Sequence, residues 1–167
     1  MKQNTISQAG ELDSASLQRE PNSLYRILVV DDEPDIRQLS TEVLIHSGYK
    51  VDAAADGAAA WEALSTDSYD LMITDNNMPK LTGVDLLKKL RSARMVLPVI
   101  LATGTLPKEA FTRYPWLQPA ATLLKPYAVE ELLETVKVVL RATDSAPMQL
   151  EPLSNWRSQP PSDDLRL

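Results

Sequence analysis

The sequence predicts an α/β protein: a doubly wound, five-stranded parallel sheet in the order 2-1-3-4-5, with helices on both faces. Two observations carry this expectation. Five short apolar runs alternate with five amphipathic stretches along one continuous segment, and parallel neighbours in a sheet need a helix-sized, right-handed crossover between them. The residues able to do chemistry also gather at the C-terminal ends of the apolar runs, where open parallel sheets bind ligands at the point of strand-order reversal.

Each element can be justified in turn. "YRILVV" is a buried-strand pattern, and "PDIRQLSTEVLIHSG" then places Ile36, Leu39, Val43 and Leu44 on one helical face before stopping at Gly48. "KVDAAA" is a weaker strand, followed by "DGAAAWEALST", a short helix with Asp56 as its N-cap. "DLMIT" is a third strand, and in "TGVDLLKKLRSAR" Thr82 and Asp85 have the spacing of a capping box. "LPVILAT" is the fourth strand, "PKEAFTRY" a brief helix and "ATLLK" the fifth strand. "VEELLETVKVVLRA" closes the series as a helix with Val129, Leu132, Leu133, Val136, Val139 and Leu140 facing inward.

Composition bounds what such a fold can do. The chain has 167 residues, 44% hydrophobic and 24% charged, as an ordinary folded domain does. We expect one domain over residues 25–142, a flexible tail over 1–24 and a second over 143–167, where Pro147, Pro152, Pro160 and Pro161 stand among Ser, Gln and Asp. The net charge of −6 and the lack of a dense Lys/Arg run disfavour direct nucleic-acid binding. There is no cysteine, which removes disulfides, thiolate metal sites and thiol catalysis together. The longest apolar stretch, "MVLPVILA", is far short of the roughly 20 residues that span a bilayer, and the first residues lack a secretory core, so the expected location is cytoplasmic with no membrane partner.

The polar residues at the strand ends then define a constellation. Asp31 and Asp32 end the first strand, Asp75 the third, Thr103 the fourth and Lys125 the fifth. Neighbouring strands lie about 4.8 Å apart, and two carboxylates about 5 Å apart in a partly buried site repel by on the order of 3 kcal/mol. A bound cation reverses that sign. Oxygen donors from two strands, without His or Cys, suit Mg²⁺, which keeps several waters and pairs one or two carboxylates with phosphate oxygens. A second explanation of "DDEPD" stands beside this one: acidic residues after a strand cap the next helix, with Pro34 as its first residue, and Glu33 and Asp35 are assigned to that role. The ammonium of Lys125 and the hydroxyl of Thr103 are the kind of groups that stabilise a transferring phosphoryl group. Taken singly, Thr103 is more often a loop hydroxyl and Lys125 more often a solvated charge; it is their joint placement at the carboxyl ends of strands that points to phosphoryl chemistry.

Four motifs in order, "VVDDEPD", "LMITDNNMPKLTG", "LATGT" and "LLKPY", resemble the receiver domain of bacterial response regulators (the CheY-like type) over about residues 25 to 142. The resemblance implies that Asp75 accepts a phosphoryl group from a phosphohistidine on a sensor histidine kinase or a histidine phosphotransfer protein. It also implies that Asp31, Asp32, Asp75 and the backbone carbonyl of Asn77 hold Mg²⁺, and that Thr103 and Lys125 bind the aspartyl phosphate. The Lys125-Pro126 pair is similar to one that is commonly cis in the family. One position departs from the pattern: where receivers carry a switching Tyr or Phe three residues before the lysine, this chain has Thr122. Trp116, between the short fourth helix and the fifth strand, is a candidate contact for a downstream protein or an aromatic packed on its own loop. With about 25 residues after the last helix, the expectation is a stand-alone receiver without a DNA-binding output domain, whose readout is a protein contact.

Two rivals remain at this stage. A Mg²⁺-dependent phosphatase of the haloacid dehalogenase type needs a second acid two residues after its nucleophile, and that position is Asn77. A phosphate-independent binding module of the same fold is favoured by Thr122 and disfavoured by the full set of acids, Thr103 and Lys125.

Overall fold

The computed structural model describes residues 24–145. The two tails expected from composition fall outside the described residues, apart from Leu24 and residues 143–145, which continue the last helix. Five strands run β1 (Arg26–Val30), β2 (Lys50–Ala54), β3 (Leu71–Asp75), β4 (Val99–Thr103) and β5 (Ala121–Leu124). They alternate with helices α1 (Pro34–His46), α2 (Gly57–Thr66), α3 (Gly83–Ser92), α4 (Lys108–Arg113) and α5 (Val129–Ser145), with a 3-10 turn at Pro115–Leu117. The sheet is parallel throughout, in the expected order β2-β1-β3-β4-β5.

Strand periodicity explains why both faces are covered. Alternate side chains point to opposite faces, so Leu28 and Val30 join one core with Leu64, Met72, Leu87 and Leu101. Ile27 and Val29 join the other, with Leu44, Ile73, Ile100, Leu132 and Val136. Helices α2 and α3 cover the first face; α1 and α5 cover the second. Buried on both sides, β3 and β4 have no exposed position, as expected of central parallel strands.

The expected caps form. Asp56 accepts the N–H groups of Ala58 and Ala59. Thr82 accepts the N–H of Asp85 at 3.1 Å, and its own hydroxyl donates to the Asp85 carboxylate at 2.7 Å. The Thr82 hydroxyl first, then the hydrogen bond and charge of Lys88, outweigh burial and hold the Asp85 carboxyl below the usual carboxylate range. Gly48, with φ of 90°, follows α1 in the left-handed conformation that glycine adopts without penalty.

Three expectations need correction. Leu39 is 55% exposed, and the buried positions of α1 are Ser40 and Leu44. Ser40 faces the Tyr127 phenol, so the inward stripe of α1 is partly polar. Val129, at the first turn of α5, is 38% exposed because the helix approaches the sheet only from Leu132 onward. Glu33 occupies the N-cap position of α1 but makes no side-chain capping bond; the carboxylate that closes the turn belongs to Asp31.

Candidate functional site

The C-terminal edges of β1 and β3 are adjacent, so the register that pairs Val30 with Thr74 brings the acids that follow them together. One carboxylate oxygen from each of Asp31, Asp32 and Asp75 lies within 4.8 Å of the others. Asp31 and Asp75 are 5% and 4% exposed, and Asp32 is half-buried. Carboxylates so placed are unfavourable unless something compensates them.

Lys125 supplies part of that compensation. It leaves the end of β5 and passes the end of β4 to reach both central acids, its Nζ lying 2.9 Å from Asp31 Oδ2 and 3.3 Å from Asp75 Oδ1. Burial pulls the ammonium's pKa down, but the hydrogen bond and charge of Asp31, followed by those of Asp75, outweigh it and leave the pKa above the ordinary lysine value. The Lys125–Pro126 peptide is cis.

The remaining oxygens are held by loop backbone. Asp31 Oδ1 accepts the N–H of Glu33 at 2.9 Å, and Asp75 Oδ2 accepts the N–H of Asn77 at 3.1 Å. No hydrogen bond or ion pair engages the Asp32 carboxylate among the described residues, so it stands open at the mouth. The β3–α3 loop is pinned by Asn76, whose carbonyl accepts Gly83 N–H at 3.2 Å and whose Oδ1 accepts Val84 N–H at 3.2 Å. Gly83 is required here: a Cβ would lie 2.4 Å from the Asp75 carbonyl oxygen.

Thr103 ends β4 beside this group and is fully buried. Its hydroxyl donates to the Thr105 carbonyl at 2.8 Å and accepts the Thr105 N–H at 3.3 Å, so in this conformation it serves its own loop. The structure therefore brings together Asp31, Asp32, Asp75 and Lys125, with the Asn77 backbone against Asp75, and leaves the Thr103 hydroxyl on Thr105. Trp116 stands apart, 57% exposed and edge-on to Tyr114 with centroids 6.0 Å apart. Both readings of Trp116 thus have a physical basis. Thr122 is half-buried on β5.

One participant, Arg37, escaped the sequence reading, whereas Tyr127 is packed as its place after Pro126 suggests. Arg37 in α1 donates from Nη1 to the Asp31 carbonyl at 2.7 Å; an arginine one turn into the helix after an acidic run was the available signal. Tyr127 packs beside Lys125, burial pushing its phenol up while its hydrogen bond with Ser40 and the charge of Lys125 oppose.

The donor set fits Mg²⁺. It is all oxygen, from two strands, and the 4.8 Å spread is little wider than the roughly 4.2 Å between opposite ligands of an octahedral ion with bonds of about 2.1 Å.

The sheet is parallel and reverses between β1 and β3, with buried acids and a lysine gathered at that reversal, and the chain belongs to the response regulator receiver domain family, whose model matches residues 27–137. This is a family of two-component signalling. The chain is similar to the response regulator MprA of Mycobacterium ulcerans (37% identity over 120 residues, 71% of this chain and 51% of the relative). It is also similar to the alkaline phosphatase synthesis transcriptional regulatory protein PhoP of Bacillus subtilis (35% over 123 residues, 72% and 50%). It spans about half the length of the curated relatives it matches. Among solved structures it resembles the chemotaxis response regulator CheY4 of Vibrio cholerae, with 32% identity, a TM-score of 0.62, and 69% of this chain and 98% of that one covered. It also resembles TrrA of Thermotoga maritima, solved in complex with Mg²⁺-BeF, with 33% identity, a TM-score of 0.60 and coverage of 69% and 98%. Among the described residues no helix is long and apolar enough to cross a membrane.

Proposed function

We propose that Asp75 is the phosphoacceptor of a phosphorelay receiver spanning residues 25–142, charged by a histidine kinase or a histidine phosphotransfer protein. The observation that carries this reading is the single ammonium of Lys125 held between two buried carboxylates, 2.9 Å from Asp31 and 3.3 Å from Asp75. A third acid stands open beside them. One oxygen of Asp75 attacks phosphorus, the P–N bond to the donor imidazole breaks, and the nitrogen leaves with the bonding pair. Asp31, Asp32, Asp75 and the carbonyl of Asn77 are the residues that would hold Mg²⁺. Bound there, it supplies the positive charge that lets an anionic nucleophile meet an anionic phosphoryl group. TrrA, solved with Mg²⁺-BeF, supports that choice of ion by similarity.

This chain's own residues complete the step. The Asn77 N–H holds Asp75 Oδ2 and so orients the other oxygen. Lys125 moves from its carboxylate partners onto a phosphoryl oxygen, and the Thr103 hydroxyl leaves Thr105 to meet another. The new group brings a charge of about −1.5 to −2, enough to rearrange the Thr103 loop and change a protein contact. That contact is the output we assign to the receiver itself, with Trp116 as the residue offered to the partner; Trp116→Ala should weaken partner capture and leave phosphorylation intact. The cytoplasmic placement expected from the sequence belongs to the same proposal.

Acetyl phosphate with Mg²⁺ should add the mass of one phosphoryl group to the full chain, and Asp75→Asn should abolish the gain. A gain that survives in Asp75→Asn overturns the assignment. No gain at all favours the phosphate-independent module, for which Thr122 in place of the switching aromatic is the supporting observation. Phosphatase turnover has no acid to rest on, since Asn77 offers Asp75 only its backbone N–H.

A further inference from the structure

We infer that Arg37 is a positioning residue for the metal: it fixes the peptide that joins Asp31 to Asp32, and so sets the angle at which the two carboxylates meet a divalent cation. The inference rests on the phosphoacceptor reading above.

Its geometric basis is one contact and the chain order around it. Arg37 Nη1 donates to the carbonyl of Asp31 at 2.7 Å. That carbonyl belongs to the peptide plane between Asp31 and Asp32, and a planar unit held at its oxygen has lost the rotation that would swing the following residue. The other atoms of Asp31 are already committed. Its N–H donates to Ala54 O at 3.2 Å, Oδ1 takes the N–H of Glu33 and Oδ2 takes Lys125. Asp32 has no such partner among the described residues, so its direction depends on the peptide that precedes it.

Helix geometry explains why position 37 can do this. With Pro34 as the first residue of α1, Arg37 lies in the first turn. Long helical side chains lean toward the N-terminus, which carries the guanidinium back over the turn to Asp31. The use of an arginine for this contact is informative. Carboxylates at positions 31, 32, 33 and 35 surround it in sequence, yet among the described residues it forms no salt bridge within 4 Å and is spent on a neutral oxygen. A cation placed there also offsets part of the repulsion among the three acids without occupying the space where an ion sits. Groups that orient metal ligands without touching the metal typically contribute about 10- to 100-fold in affinity.

The full-length native chain, Arg37→Met and Arg37→Lys are titrated with Mg²⁺ by calorimetry, and their phosphorylation by acetyl phosphate is followed across Mg²⁺ concentration. Arg37→Met should weaken Mg²⁺ binding about 10- to 100-fold and regain the native phosphorylation rate at saturating Mg²⁺. Arg37→Lys, which keeps a charge and a donor, should lie between. A residue that merely braces α1 would lower thermal stability without moving the Mg²⁺ midpoint. Native affinity in Arg37→Met, or a rate that stays low at saturating Mg²⁺, overturns the inference and leaves the phosphoacceptor reading standing. A native chain indifferent to Mg²⁺ overturns both.

Discussion

At each end of this sheet one cation pairs with two aspartates while a third stands beside them, and only one of the two groups has the makings of a reactive site. Around Arg26, where β1 begins, the guanidinium lies 2.7 Å from both Asp52 and Asp67, and its backbone N–H reaches Asp70 at 2.7 Å. The ring of Tyr69 lies 4.9 Å from the guanidinium carbon, and its hydroxyl bonds Asp52 at 3.0 Å. At the opposite edge Lys125 meets Asp31 and Asp75. Arg26 and Lys125 each pair with two carboxylates; exposure to water and the shape of the cation differ. Side chains of the Arg26 pairs are 36–43% exposed, while those of the Lys125 pairs are 18%, 7% and 5% exposed. The fork of an arginine keeps its two carboxylates apart on separate nitrogens, whereas one ammonium draws Asp31 and Asp75 onto the same point. A compact point charge is also what Mg²⁺ replaces most directly. On the proposed reading, clustered acids make a cation site here only where they are buried and converge.

Substitutions can break or sharpen that contrast. Lys125→Met leaves two buried carboxylates uncompensated and should cost about 3 kcal/mol of stability in the absence of Mg²⁺, most of it restored when Mg²⁺ is added; urea unfolding in the two conditions reads this directly. Gly83→Ala forces the β3–α3 loop away from the Asp75 carbonyl. It should cost about 2 kcal/mol through overpacking and slow phosphoryl uptake about 100-fold, as a misplacement near 1 Å does. Asp67→Asn, at the exposed end, should shift the melting temperature only slightly and leave Mg²⁺ binding and phosphorylation at native values.

The last effect appears only at alkaline pH. Burial, then the hydrogen bond to Asp52, push the Tyr69 phenol up to about 12 from 10.0. The folded state thus holds that proton more tightly than the unfolded state, so the contribution is complete below pH 10 and is lost as pH rises through 12. Relative to Tyr69→Phe, the native chain should lose stability between pH 10 and 12 and keep a constant difference below pH 10. A difference that widens with rising pH contradicts the assignment.

The sequence disclosed most of the fold because its apolar runs carry two distinct periods, and parallel order then forced the acids of β1 and β3 to the same edge. It misplaced Leu39 because a helical stripe is read from hydrophobicity alone, and Ser40, one position on, is buried facing the Tyr127 phenol, a polar neighbour that no pattern of apolar residues encodes. The strand ends revealed Asp31, Asp32, Asp75 and Lys125, since the sheet fixes where those side chains start. They could not reveal that the Thr103 hydroxyl is turned onto Thr105, or that Arg37 reaches back to the Asp31 carbonyl, because both depend on loop torsions and rotamers chosen after the sheet has formed.

The central claim is that Asp31, Asp32 and Asp75 form a cation site and the aspartates around Arg26 do not. Calorimetric titration of the full chain with Mg²⁺ near pH 7 should show one binding event that disappears in Asp31→Asn and persists unchanged in Asp52→Asn. Binding that survives in Asp31→Asn, or is lost in Asp52→Asn, would contradict the account.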